Sequence, residues 1–556
     1  MMKQSKVKWL RPALWCLVAG LGLTACSTQK KTTESEGSVV SSMQMESLNP
    51  TPKEEYKTAY PTSTYEVFLY SFYDSDGDGI GDIRGLIEKL DYINDGKAET
   101  TADLGIKQIW LMPVSPSPSY HKYDVTDYMG IDPQYGTMED FKALLQACHE
   151  RGIRLITDLV LNHSSDEHPW FLAAKKYLEG LGDAEPNTAE CPYVDYYHFS
   201  RKAGAGYTRL NGTEWYYEAR FSPDMPDLNL DSTVVREEIR KLTDFWLDLG
   251  LDGFRLDACS HFYEGDTKQN TAFLSWLGET VKSKKPDAFL VGEVWEDQSI
   301  YSQYYASGLS FFDFAFSAQR EQVIGTADGR LGSGWWLAQS QAAEALYDQA
   351  AGKAAVNAPF YTNHDLNRAA GYFPGDDGKK VKFGLGLHLT RPGNTFLYYG
   401  EELGMKGSGK DENKRAPMYW SEQADTKGLC QGPPKMDAVK MKFPAADDQQ
   451  ADPTSIRRYT ARAIGLRNAF PAIALGRTDS SDGWSTDKVF ICKRQAEGFE
   501  TVWLAANCSA EEQTVTVGDD LKLAAALNVD DKQVVLSGNK LTIPARHIAV
   551  LQKAGK

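Results

Sequence analysis

No two cysteines of this 556-residue chain stand in a CxxC spacing, and there are only eight cysteines in all. That absence excludes a zinc ribbon and a dithiol redox motif. Cys16 and Cys26 lie near the N-terminus, and the other six, Cys148, Cys191, Cys259, Cys430, Cys492 and Cys508, are spread through the body. Six over that length do not build a disulfide-dense scaffold, and their spacing does not say which of them would pair. Basic residues are also in short supply: 60 Lys and Arg face 76 Asp and Glu, for a formal net charge of −16. Phosphate contacts need clustered cations, so no nucleic-acid partner is expected. No apolar run reaches the roughly 20 residues that a membrane-spanning helix needs. No organic cofactor is implied, and a monomer is expected.

What is present begins at the N-terminus. Lys3, Lys6, Lys8 and Arg11 precede a nearly uncharged stretch over 12–25, which ends in Leu23-Thr24-Ala25-Cys26. This resembles a bacterial lipoprotein signal: a basic start, a short apolar run and small residues before the cleavage point. The resemblance implies a signal peptide at 1–25, lipidation of Cys26, and an exported protein anchored in a membrane, at the cell surface or facing the periplasm. Residues 26–60, rich in Ser, Thr, Lys, Glu and Gln, read as a flexible tether with too few apolar residues to pack.

Beyond the tether, short β-branched or aromatic runs alternate with longer amphipathic stretches, the pattern of a parallel sheet wrapped by helices. Strands are predicted at 65–70, 106–112, 154–161, 253–257, 289–293, 309–314, 358–362 and 395–399. Helical faces fall between them, such as Phe141, Leu144, Leu145 and Cys148 within 139–151, and Ile239, Leu242, Phe245 and Trp246 within 232–249. The fold class expected is α/β: a (β/α)8 TIM barrel at 61–163 and 232–473, with a subdomain inserted after strand 3 at 164–231. From about residue 474 to 556, short alternating runs at 489–493, 501–506, 513–517, 534–536 and 548–551 predict a C-terminal antiparallel β-sandwich. Packing support for the barrel is the role expected of it, with starch binding as the alternative. The 13 Trp and 28 Tyr suit a sugar binder and a large core equally.

Three carboxylates close three of the predicted strands: Asp257 in Gly253-Phe254-Arg255-Leu256-Asp257, Glu293 in Val291-Gly292-Glu293-Val294-Trp295, and Asp365 in Thr362-Asn363-His364-Asp365. Residues at strand C-terminal ends of such a barrel face its active site. A retaining glycosidase needs one carboxylate as nucleophile and a second carboxylic acid to protonate the leaving oxygen, about 5–5.5 Å away. Arg255, two residues before Asp257, falls on the same strand face and would hold that group ionised. Glu293 sits among Val291, Val294 and Trp295, a setting that would raise its pKa. Asp365 could stabilise developing positive charge.

These segments resemble the conserved regions of the α-amylase family, glycoside hydrolase family thirteen, over about residues 65–467. Supporting matches are Tyr120-His121-Lys122-Tyr123-Asp124, Asp158-Leu159-Val160-Leu161-Asn162-His163 and Met225-Pro226-Asp227-Leu228-Asn229. The resemblance implies Asp257 as nucleophile, Glu293 as acid/base and Asp365 as transition-state stabiliser. His121, Tyr123, Asp158, His163, Arg255, His261 and His364 would bind the substrate. Ala258 after the nucleophile implies α-1,4 specificity, whereas Ser260 departs from the Lys common near the leaving-group subsites. The implied activity is α-amylase-type endo-hydrolysis of starch and maltooligosaccharides. An exo-acting α-glucosidase, a neopullulanase or a glucan transferase shares these residues, and the insertion and the loop 404–415 would separate them by whether they close the donor side of the cleft. A non-catalytic surface glycan-binding protein is the alternative from another class, and would be expected to lack one of the three acids.

The run Asp74-Ser75-Asp76-Gly77-Asp78-Gly79-Ile80-Gly81-Asp82 places oxygen ligands at alternate positions with Gly at the sixth, as in EF-hand-type loops. Calcium is expected there, held by Asp74, Asp76, Asp78, the Ile80 carbonyl and Asp82; magnesium or a metal-free turn is the alternative. A second calcium site of the family would use Asn162 and the His261 carbonyl, but Asn229 stands where the family usually places an Asp.

Overall fold

Eight parallel strands form the barrel, numbered among themselves: β1 Ser63–Val67, β2 Gln108–Leu111, β3 Arg154–Leu159, β4 Gly253–Leu256, β5 Phe289–Gly292, β6 Ser310–Phe312, β7 Asn357–Ala358 and β8 Thr395–Tyr398. The computed structural model describes residues 38–39, 60–97 and 102–555. The sheet order is β7-β6-β5-β4-β3-β2-β1-β8, and a parallel bridge between Phe360 and Phe396 joins its two ends. Every predicted run overlaps its strand, the first and seventh strands begin before their runs, and all eight end earlier. The seventh is the most curtailed: after Ala358 the chain leaves the ladder and carries Thr362 to Asp365 onto the strand C-terminal face.

Inside the barrel, Trp110, Phe312, Phe360 and Phe396 pack ring against ring, with Phe312 to Phe396 centroids 4.9 Å apart and Trp110 to Phe312 5.5 Å. This filled interior is why the barrel is a core and not a pore. Gly253 opens β4 at φ 146°, and a Cβ there would lie 1.9 Å from the Phe289 carbonyl oxygen. Only glycine allows β4 and β5, the strands that lead to Asp257 and Glu293, to begin this close together.

The predicted helical faces are buried except at Phe245, which is only partly covered. Helix Met138–Glu150, started by a Thr137/Asp140 capping box, buries Phe141, Leu144, Leu145 and Cys148. Helix Thr233–Asp248, capped by Ser232, buries Ile239, Leu242 and Trp246. Between β3 and that helix, the insertion carries helix Pro169–Leu181 and a three-stranded antiparallel sheet of Phe199–Ser200, Tyr207–Arg209 and Tyr216–Glu218. A bridge between His163 and Asp227 and the bond from the Ser164 N–H to Pro226 O pin it beside the end of β3.

The C-terminal region is two four-stranded antiparallel sheets. One contains Val489–Arg494, Val502–Asn507, Ile548–Lys553 and Leu521–Leu527; the other contains Gln513–Thr516, Lys540–Ile543 and Val535–Ser537. Strands Leu521–Leu527 and Lys540–Ile543 were not anticipated, since alternation is weak in the Ala-rich first and the second is short. The first sheet has two apolar faces. Val489, Ile491, Trp503, Ala505 and Leu551 meet the second sheet, while Phe490, Cys492, Leu504, Ile548 and Val550 belong to the barrel core. The second sheet is edged by Ser38–Val39, which pairs with Val535 and Leu536 from within the stretch assigned to the tether. The predicted signal peptide 1–25, Cys26 and most of the tether lie outside the described residues. Among the described residues no helix is long and apolar enough to cross a membrane, and the six body cysteines are unpaired.

Candidate active site

The ionisable groups sit above the aromatic interior, at the strand C-terminal ends. Arg255 of β4 is fully buried and faces three carboxylates: its Nη1 pairs closely with Asp158 Oδ1 and lies 2.6 Å from Asp257 Oδ1, and its Nη2 lies 2.7 Å from Glu293 Oε2. A buried guanidinium is tolerable only with such pairing. Trp110 supports the cluster from below, its Nε1 donating to Asp158 Oδ2 at 2.7 Å and its ring lying 5.1 Å from the guanidinium. Burial pushes Asp158 up to about 7 against the pull of Arg255.

Glu293 differs from Asp257 in its surroundings. Its Oε1 is buried with no hydrogen-bond partner, while Oε2 faces Arg255 and the Ala258 N–H at 3.3 Å. Burial raises its pKa, with Asp257 and Asp365 adding to that and Arg255 opposing it. Ala258, in the left-handed region at φ 43°, turns the chain from β4 so that its N–H meets that carboxylate. Burial would also raise Asp365, but His364 at 3.2 Å and Arg415 at 2.7 Å hold it well below the ordinary carboxylate range.

A cleft of about 820 Å³ opens onto Asp257, Glu293 and Asp365, a size suited to a substrate site. His121, Tyr123, His163 and His261 line it as well. Tyr123 bonds His364 Nε2 at 2.9 Å and Arg255 Nη1 at 3.3 Å, so Tyr123, Asp158, Arg255 and His364 form one network with the acids. Burial lowers the pKa of both His121 and His163. His261 is the outlying member, 38% exposed and paired with Glu264 at 2.8 Å.

Several residues in and behind the cleft escaped the sequence reading. Arg415 reaches Asp365 and donates to the Tyr120 hydroxyl at 3.0 Å; it lies in the 404–415 loop, whose role was anticipated without this residue. Phe221, from the insertion, sits 5.4 Å from the His163 ring and 5.1 Å from that of His261. Trp295 stacks on Phe314 and is 41% exposed at the cleft, whereas Val291 and Val294 are fully buried. Glu66 of β1 bonds His364, and its signal was an acid inside an otherwise apolar run.

The loop after β1 brings Asp74, Asp76 and Asp78 together, with ligand atoms within 4.8 Å of one another, the one such group among the described residues. Asp74 accepts the N–H groups of Gly77 and Gly79, and Asp78 that of Ile80. Asp82 is not in the group: its carboxylate accepts from the Ser75 N–H and hydroxyl and from Gly85 N–H, capping helix Ile83–Glu88. Three converging carboxylates fit a hard, oxygen-seeking cation. Asn229, which stands where the sequence reading expected an Asp, is occupied within the insertion, donating to Asp195 O at 3.0 Å.

Residues 66–476 match the family described as alpha amylase, catalytic domain. The chain is 35% identical over 466 residues to Alpha-amylase 3 of Dictyoglomus thermophilum, covering 82% of this chain and 87% of that protein. It is 30% identical over 501 residues to an oligo-1,6-glucosidase of Parageobacillus thermoglucosidasius, covering 75% and 84%. Among solved structures, Eubacterium rectale Amy13B superposes with a TM-score of 0.87 at 43% identity, covering 93% of this chain and all of that one.

Proposed function

The chain belongs to the α-amylase family of glycoside hydrolases, and from that premise we propose that it is an α-amylase, cleaving internal α-1,4-glucosidic bonds of starch and maltooligosaccharides with retention. The observation that carries the reading is the unequal pair of carboxylates on one guanidinium. Asp257, ion-paired to Arg255, attacks the anomeric carbon. Glu293, whose pKa burial raises and whose Oε1 is free of protein partners, gives its proton to the departing glycosidic oxygen. In the second half Glu293 takes a proton from water, whose oxygen displaces Asp257 from the same carbon. Asp365, held anionic by His364 and Arg415, stabilises the positive charge that develops on the sugar.

Ala258 supports α-1,4 specificity through its resemblance to that branch of the family. Phe221 and Trp295, both exposed at the cleft, supply flat apolar faces for further glucosyl units, which favours internal cleavage. A second reading, an exo-acting α-glucosidase, neopullulanase or glucan transferase, draws on Lys410, Asp411 and Glu412, which stand along one side of the cleft. Incubation with maltoheptaose and with isomaltose decides between them: mixed α-configured maltooligosaccharides with isomaltose untouched support the amylase reading. Stepwise glucose, transfer products or cleaved isomaltose would move the assignment, and no turnover would favour a glycan-binding protein.

Two further features complete the proposal. Calcium would be held by Asp74, Asp76 and Asp78 with the Ile80 carbonyl, and by Asp82 if it leaves the helix cap. It would supply a structural clamp on the loop after β1. Export and anchoring through Cys26 rest on the leader sequence, and Cys26→Ser should move the protein from the membrane fraction to the soluble one.

A further inference from the structure

His364 has an anion at each end of its ring. Nδ1 lies 2.6 Å from Glu66 Oε1, and Nε2 lies 3.2 Å from Asp365 Oδ2 and 2.9 Å from the Tyr123 hydroxyl. The side chains of Glu66 and His364 are each 1% exposed, so water does not screen the contact. A neutral imidazole carries one N–H and can donate to only one of two carboxylates, leaving a lone pair against the other. Only the doubly protonated ring satisfies both. Glu66 does not line the cleft, and the hydrolytic steps make no use of it. It is built into the barrel wall instead: its backbone pairs with Trp110 and Tyr398 on the flanking strands, and Oε1 also accepts the His364 backbone N–H at 3.4 Å.

We propose that Glu66 is a positioning residue that holds His364 as an imidazolium, so that Nε2 remains a proton donor and Asp365 a correctly aimed anion across the working pH range. This rests on the hydrolytic reading above for its consequence, though not for the protonation itself. The charges around the ring agree. Burial disfavours the cation, but Asp365 and Glu66 together raise His364 to about 10. The Asp158 and Glu293 carboxyl groups, whose own pKa values burial raises, also interact with the ring. Against these stand Arg415, whose Nε donates to the His364 carbonyl at 3.2 Å, and Arg255, whose charge acts on Glu66 and Asp365.

The first test needs no variant beyond one for assignment. The full chain labelled with ¹⁵N-histidine, with the His364 signal identified by its loss in His364→Asn, should show His364 as imidazolium at pH 8. A neutral ring there would overturn the proposal. The second test compares kcat/KM on a maltooligosaccharide between Glu66→Gln and the parent across pH. That ratio should fall about tenfold between pH 5 and pH 8, as it does when the variant's His364 gives up its proton at about pH 7 while the parent's keeps it. Glu66→Asp should restore part of the loss. A ratio independent of pH would mean that Glu66 only packs, and would also overturn the idea. Failure of the parent to turn over any α-glucan would defeat the functional reading, while the ¹⁵N result would still decide the protonation of His364.

Discussion

At Glu293, burial pushes toward the acid form while Arg255 pulls toward the anion, and the balance is a raised pKa. The sign of the pH dependence follows: the acid is present at low pH, and activity falls as pH rises through that value. Glu293→Gln should lower kcat by about 10³ with the fold intact, because positioned proton transfer is typically worth 10²–10⁴; steady-state kinetics and circular dichroism check this. Asp365→Asn should move the alkaline limb of the residual activity to lower pH, since Asp365 is one of the anions that raise Glu293. The three acids were legible because each ends an apolar run, which is the mark of a strand tip. Glu66 was not, since its partner is 298 residues away and only barrel closure brings the two together.

Among the elements, two loops carry more than their sequences show. The segment after β2 holds Lys122 in the left-handed region at φ 65°, buried, with Nζ 2.8 Å from Asp132 and 2.8 Å from Gln134. Removing one partner of a buried ion pair leaves the other uncompensated, at a cost of about 3–5 kcal/mol. Lys122→Ala should therefore destabilise by that order in urea unfolding and lower activity as well, because His121 and Tyr123 flank it. In the loop after β1, the motif spacing pointed to a cation site, and the fold brings Asp74, Asp76 and Asp78 together while turning Asp82 to a helix cap. If calcium binds there, raising it to about a hundredfold over Kd should stabilise by about 2.7 kcal/mol. The readout is a higher Tm for the parent and little change for Asp76→Ala.

For the molecule as a whole, the C-terminal sheets are bound to the barrel by more than a linker. One face of the first sheet shares the barrel core, Trp336 stacks on Phe490, and Arg494 lies 3.5 Å from Glu344. Deleting residues 477–556 should therefore expose that core and yield aggregated or protease-sensitive protein, whereas a domain that served only starch binding would leave a folded, active barrel. Limited proteolysis and thermal melting separate the two. Local chemistry was enough to determine the eight strands, the helical faces, the acids at strand tips and the alternating aspartates, because periodicity and residue type act over a few neighbours. Only the tertiary structure decided the Glu66–His364–Asp365 chain, the reach of Arg415, the place of Phe221 against two histidines, and the sharing of one sheet between two cores. Those depend on contacts between residues far apart in the chain, and no local pattern encodes which of them closure will bring within hydrogen-bonding distance.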